Sequence, residues 1–163
     1  MGYALPPDLN KDLVLEFFWI FSVFECALKR EHFLKHKEDD APAEANWIEF
    51  ANRIRGKLGT APDRSFVGGV ARLRQLAPRK QIVRNSGLAW KTQKQDAGES
   101  DEAYTIRLVT TVRNNLFHGG KYLDGDEFEV ARDRDILSAA LAVLNGLSCL
   151  DPDIKARFEE FAA

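Results

Sequence analysis

Cysteine is nearly absent from this chain: Cys26 and Cys149 are the only two in 163 residues. Each lies in an apolar, helix-periodic stretch, which reads as a buried reduced thiol and excludes a disulfide framework. A dominant charge sign is missing as well. Lys and Arg number 23 against 25 Asp and Glu, a net charge of −2. With 45% hydrophobic residues this is a chain with a real core, sized for one domain, and not a disordered tail. No apolar run is long enough to cross a bilayer, because the strongest one is broken by Glu16, Ser22 and Glu25. The stretch Met1-Gly2-Tyr3-Ala4-Leu5-Pro6 has no basic n-region and no Ser or Thr at its sixth position. Neither a signal peptide nor myristoylation is expected, and the expected location is cytoplasmic, without membrane contact. Internal repeats, low-complexity segments, and helix-turn-helix or zinc-finger spacings are also lacking, so sequence-specific duplex reading is unsupported.

What is present is helical periodicity. Leu13, Phe17, Ile20, Phe24 and Leu28 form one stripe, with Val14, Phe18, Trp19 and Phe21 on other faces. A helix from about residue 8 or 10 to 35 is expected, buried on more than one side, either as a central core helix or as one that also forms a dimer seam. A second helix is expected over residues 42–58, with Trp47, Ala51, Ile54 and Leu58 on one face and Gly59 at its end. Residues 63–76 carry Phe66, Val70 and Leu73 at helical spacing, weakened by Gly68-Gly69. Residues 78–98 read as a loop with one short helix. Helices over about 101–118 (Ser100 as its cap), 133–149 and 152–161 complete the chain, and residues 121–130 suggest a turn or small hairpin. The expectation is an all-α bundle of about five helices with an irregular basic insertion.

Two candidate metal sites are set aside. His32 and His36 have i, i+4 spacing but no third ligand, and Asp124-Gly125-Asp126 lacks the twelve-residue calcium spacing. Charge is more informative. Across residues 53–94 the bases are Arg53, Arg55, Lys57, Arg64, Arg72, Arg74, Arg79, Lys80, Arg84, Lys91 and Lys94, and the single acid is Asp63. Such segregation makes one strongly positive zone, for which a phosphate backbone is the commonest partner, with Trp90 and Phe66 as stacking faces. The alternative is a solvated basic face that pairs with acids of the same chain or of a dimer mate. Arginine dominates, which favours phosphate.

The zone precedes Arg113-Asn114-Asn115-Leu116-Phe117-His118-Gly119-Gly120-Lys121. Tyr104, Leu108, Val112 and Leu116 recur every four residues, and the paired glycines mark the helix end. A permanent cation, an amide and a titratable imidazole therefore gather near one helix end, where the dipole favours positive charge. The ordinary reading is structural, with His118 capping carbonyls and Arg113 paired to Glu25 or Asp101. Glu25 itself either forms an i, i+4 pair with Lys29 or orients Arg113 or His118.

The phrase resembles the signature of the HEPN domain, Arg, usually a polar residue and then His after four to six intervening positions, four here, and its wider form looks like the Apea-like branch. The resemblance implies a HEPN-like bundle acting as a dimer, with Arg113, Asn114 and His118 as the composite site. It further implies a metal-independent ribonuclease of toxin–antitoxin, phage-defence or RNA-processing type, needing no cofactor and partnered by an antitoxin or nucleotidyltransferase. Other members have lost catalysis and only bind nucleotide, RNA or protein. On the ribonuclease reading, Arg72, Arg74, Arg79, Lys80, Arg84, Lys91 and Lys121 hold RNA, His118 moves a proton, and Arg113 offsets charge on the phosphoryl oxygens. DNA, lacking the 2′-hydroxyl nucleophile, is expected to resist.

Overall fold

The computed structural model describes residues 10–61, 63–118 and 130–162, with backbone alone at Thr60, His118, Val130 and Ala162. Among them the chain forms six α-helices and one two-stranded sheet: α1 (Lys11–Arg30), α2 (Trp47–Arg53), α3 (Arg64–Leu76), β1 (Lys80–Arg84), β2 (Gly87–Lys91), α4 (Asp101–His118), α5 (Val130–Ser148) and α6 (Pro152–Ala162). The fold is mostly helical, as the periodicity predicts. No described helix is long and apolar enough to cross a membrane.

Polar side chains start the helices where the backbone N–H groups lack partners. Asn10 Oδ1 accepts from Asp12 N at 3.1 Å, Asp63 Oδ1 from Ser65 N at 2.8 Å, and Ser100 Oγ from Ala103 N at 3.1 Å. Asp151 does two jobs from a buried position. Its Oδ1 accepts from Asp153 N and Ile154 N, while its Oδ2 accepts from Arg53 Nε at 3.0 Å, joining α2 to the start of α6.

α5 packs against α1, α3, α4 and α6 and is the axis of the bundle. Two glycines let α3 approach it closely. A Cβ on Gly69 would lie 3.0 Å from Ala142 Cβ, and one on Gly146 would lie 2.1 Å from the Phe66 ring. Gly69 therefore marks close packing of α3, Gly68 is open, and the pair does not break the helix. Phe17, Phe24, Phe50, Phe66, Leu108, Leu144 and Leu147 are fully buried in one continuous core.

Several helix ends and the insertion differ from the periodicity, with α2 stopping at Arg53 and not at Leu58. α1 stops at Arg30 because His32 adopts the left-handed conformation (φ +62°). Phe33 N–H then donates to Leu28 C=O at 3.0 Å and His32 N–H to Lys29 C=O at 3.2 Å, a Schellman ending made without glycine. His32 and His36 consequently share no helix face. α2 begins only at Trp47, since Asn46 caps it and residues 33–46 form a loop closed by the Leu34–Ala45 bridge. The insertion is not irregular. Residues 80–91 form an antiparallel hairpin, whose two-residue turn places Asn85 (φ +50°) and Ser86 (φ +62°) in the geometry that suits strand twist. The suggested turn at 121–130 lies outside the described residues.

Candidate functional site

α4 carries the motif and is flanked on one side by α1 and α2 and on the other by the hairpin. Arg113 lies in its last turns, half-buried. Its Nη1 donates to Asn114 Oδ1 at 3.1 Å, and its guanidinium carbon sits 4.5 Å from the Phe117 ring centre and 5.8 Å from that of Phe21. Phe117 is 61% exposed and held edge-on by Phe18, with ring centres 4.9 Å apart. Aromatic faces on α1 and α4 thus position the cation without neutralising it. Neither expected carboxylate pairs with it. Glu25 accepts from Trp47 Nε1 at 3.3 Å, and Asp101 is bound by Arg74 at 3.0 Å. Arg113 has no ion pair among the described residues.

Two grooves open on either side of the same α4 ridge. One, of about 340 Å³, lies between α4 and α1–α2, with Glu25, Trp47, Arg113 and Asn114 on its walls. The other, of about 290 Å³, lies between α4 and the hairpin, with Gln81, Trp90, Asn114 and Asn115 on its walls. Arg107, Thr110 and Asn114 line both. Spaced i, i+3 and i+7, they fall on one face of α4. The ridge follows directly from helix geometry.

The hairpin is fastened to α4 by a polar cluster. Arg107 donates from Nε and Nη2 to the two Glu99 carboxylate oxygens at 2.8 and 2.6 Å, from Nη1 to Gln93 Oε1 at 2.9 Å, and from Nη2 to Lys94 C=O at 2.9 Å. Gln93, only 7% exposed, donates to Pro78 C=O at 2.8 Å and Thr111 Oγ1 at 3.0 Å. Asn115 Nδ2 adds a bond to Arg79 C=O at 2.8 Å. The Arg107 bonds hold the Glu99 carboxyl below the usual carboxylate range and raise Arg107 itself. Likewise Arg74 and Gln95 hold Asp101 low.

The positive zone divides into two classes. Arg53 pairs with Asp151 and Asp153, Arg72 with Asp135, and Arg74 with Asp101, so these bases meet acids of their own chain. Arg79, Lys80, Arg84 and Lys91 are exposed, and their side chains have no bond or ion pair among the described residues. They cluster on and beside the hairpin, where Lys80 and Lys91 are direct cross-strand partners. Asn114 is exposed on the ridge. His118 ends α4, its imidazole lying outside the described part of the structure, and Lys121 lies outside the described residues.

Sequence reasoning missed Arg107, Gln93 and Gln81. Arg107 had a readable signal, a base on the motif helix opposite a segment containing Asp96 and Glu99. Gln81 and Gln93 had none, because their neighbours arise only when the hairpin folds back. Comparison with family models, with curated proteins and with solved structures returns no match.

Proposed function

We propose that this chain is a HEPN-type RNA endonuclease, acting as a dimer in a toxin–antitoxin or phage-defence setting. The observation that carries the reading is the Arg113 guanidinium, backed by aromatic rings, bonded among the described residues only to the neutral Asn114 amide, and lining an open groove. A structural arginine in that position normally has a carboxylate partner; a phosphate-binding one keeps its charge available.

In the proposed reaction the ribose 2′-oxygen attacks the adjacent phosphorus and its proton passes to a base. The phosphorus–5′-oxygen bond breaks, and the leaving oxygen takes a proton. The products are a 2′,3′-cyclic phosphate and a 5′-hydroxyl. His118 exchanges the proton, Arg113 offsets the added negative charge on the phosphoryl oxygens, and Asn114 fixes the guanidinium. One copy supplies one imidazole, and base and acid roles ask for two, which a dimer with adjoining motif helices would supply.

The test is cleavage of single-stranded RNA in EDTA by wild type, Arg113→Ala and His118→Ala. Activity in the wild type alone is expected; equal activity in all three, or in none, overturns the ribonuclease reading. The unpaired hairpin cations also favour a second reading, a binding module without cleavage, and RNA binding with no cleavage by the wild type would select it.

A further inference from the structure

The groove between α4 and the hairpin is not used by the reaction above, and its chemistry is specific. We infer that it holds one unpaired nucleobase of the bound RNA, adjacent to the phosphate at Arg113, with Trp90 as the stacking face and Gln81 as the group that reads the base edge. This inference rests on the RNA-binding reading and extends it to base selection.

Four observations converge. Trp90 lines the groove and Gln81 is its direct cross-strand partner, so a flat aromatic surface and an amide stand side by side. Gln81 Nε2 is out of contact with solvent yet has no hydrogen-bond partner among the described residues. A buried amide nitrogen without a partner costs about 1–3 kcal/mol, so a base edge that draws the Gln81 amide round to the groove and pairs with it gains affinity and geometry together. The space of about 290 Å³ lies at the small end of ligand sites, which run from about 300 Å³, and suits one heterocycle. Finally, Lys80 borders the groove and is the direct cross-strand partner of Lys91, one register step from the Gln81–Trp90 pair. Like charges directly opposite repel, and a phosphate between or beside them relieves the repulsion.

The ridge supplies continuity. Thr110 and Asn114 stand one helical turn apart, about 6 Å along the axis, and each lines both grooves. A strand crossing there sets its phosphate on the Arg113 side and its base on the Trp90 side. Stacking alone accepts any base, whereas an amide satisfied only by the right edge discriminates. Base preference should therefore depend on Gln81 and overall affinity on Trp90.

The experiment measures binding of short labelled RNAs to the full chain at low salt, using oligo(U), oligo(C), oligo(A), oligo(G) and an abasic ribose-phosphate strand. The wild type should separate the four homopolymers and bind the abasic strand more weakly than the best of them. Trp90→Leu should lose about ten-fold in affinity for the preferred RNA, Trp90→Phe distinctly less, and Gln81→Leu should level the homopolymers. Loss of the stacking face leaves affinity for the abasic strand unchanged in Trp90→Leu, whereas a fold defect lowers it, so the two are told apart. Equal binding by wild type, Gln81→Leu and both Trp90 variants overturns the base site while leaving RNA binding intact. Equal affinity for abasic and homopolymer strands overturns it too. No binding of any strand by the wild type overturns this inference and the RNA reading together.

Discussion

Arg107 and Arg113 share one helix and have opposite surroundings. Arg107 is saturated by Glu99, Gln93 and a backbone carbonyl, while Arg113 meets two rings and a neutral amide. Their substitutions should separate accordingly. Arg107→Ala leaves Glu99, Gln93 and the Lys94 carbonyl short of a donor and should cost about 2–3 kcal/mol in urea unfolding. Arg113→Ala should shift the same midpoint by less than about 1 kcal/mol, because no charged partner among the described residues is orphaned. The pH dependence has a definite sign. Glu99 is held below its ordinary value of 4.5, so its contribution to stability is present above that pH. It is lost as pH falls through the lower folded-state value. Urea midpoints should therefore drop between pH 7 and acid more steeply in wild type than in Arg107→Ala, in which Glu99 has lost the partner that depresses it.

At the scale of elements, the α3–α5 contact and the hairpin carry the structural predictions. Gly146→Ala forces a methyl into the Phe66 ring and should destabilise by about 3 kcal/mol, whereas Gly68→Ala, open on every side, should stabilise by about 0.5–1 kcal/mol. Thermal or urea melts distinguish the two signs. Ser86→Gly places the favoured residue at a left-handed turn position and should stabilise the hairpin by about 0.5 kcal/mol, read as slower amide exchange in 80–91. Legibility follows the same division. Long periodic helices such as α1, α4 and α5 were readable because burial of a stripe dictates them. The end of α1 and the hairpin turn were less so, since His32 and Ser86 take backbone geometry usually assigned to glycine. The hairpin was visible only as the apolar islands Gln81-Ile82-Val83 and Gly87-Leu88-Ala89-Trp90, which nothing local joins. Arg113 and Asn114 were legible as neighbours because their spacing lies within one helix. The groove wall made by Gln81 and Trp90 was not, because it needs two strands to pair and then dock.

On the whole molecule, a near-zero net charge conceals a divided surface. Acids on α4, α5 and at the start of α6 pair with Arg53, Arg72 and Arg74, and among the described residues Arg79, Lys80, Arg84 and Lys91 form an unpaired group at the hairpin beside the motif helix. RNA affinity should accordingly fall with salt, and replacing Lys80, Arg84 and Lys91 together by Gln should reduce the log–log slope by about 2 without abolishing cleavage at low salt. The same field would draw a polyanion toward the ridge from either groove. The most direct measurement is the chemistry of the ends left on single-stranded RNA incubated with the protein in EDTA. The account predicts 2′,3′-cyclic phosphate and 5′-hydroxyl termini from the wild type, none from Arg113→Ala or His118→Ala, and no cut at a 2′-deoxy position. Termini bearing 5′-phosphate, or undiminished cleavage by either variant, would contradict it.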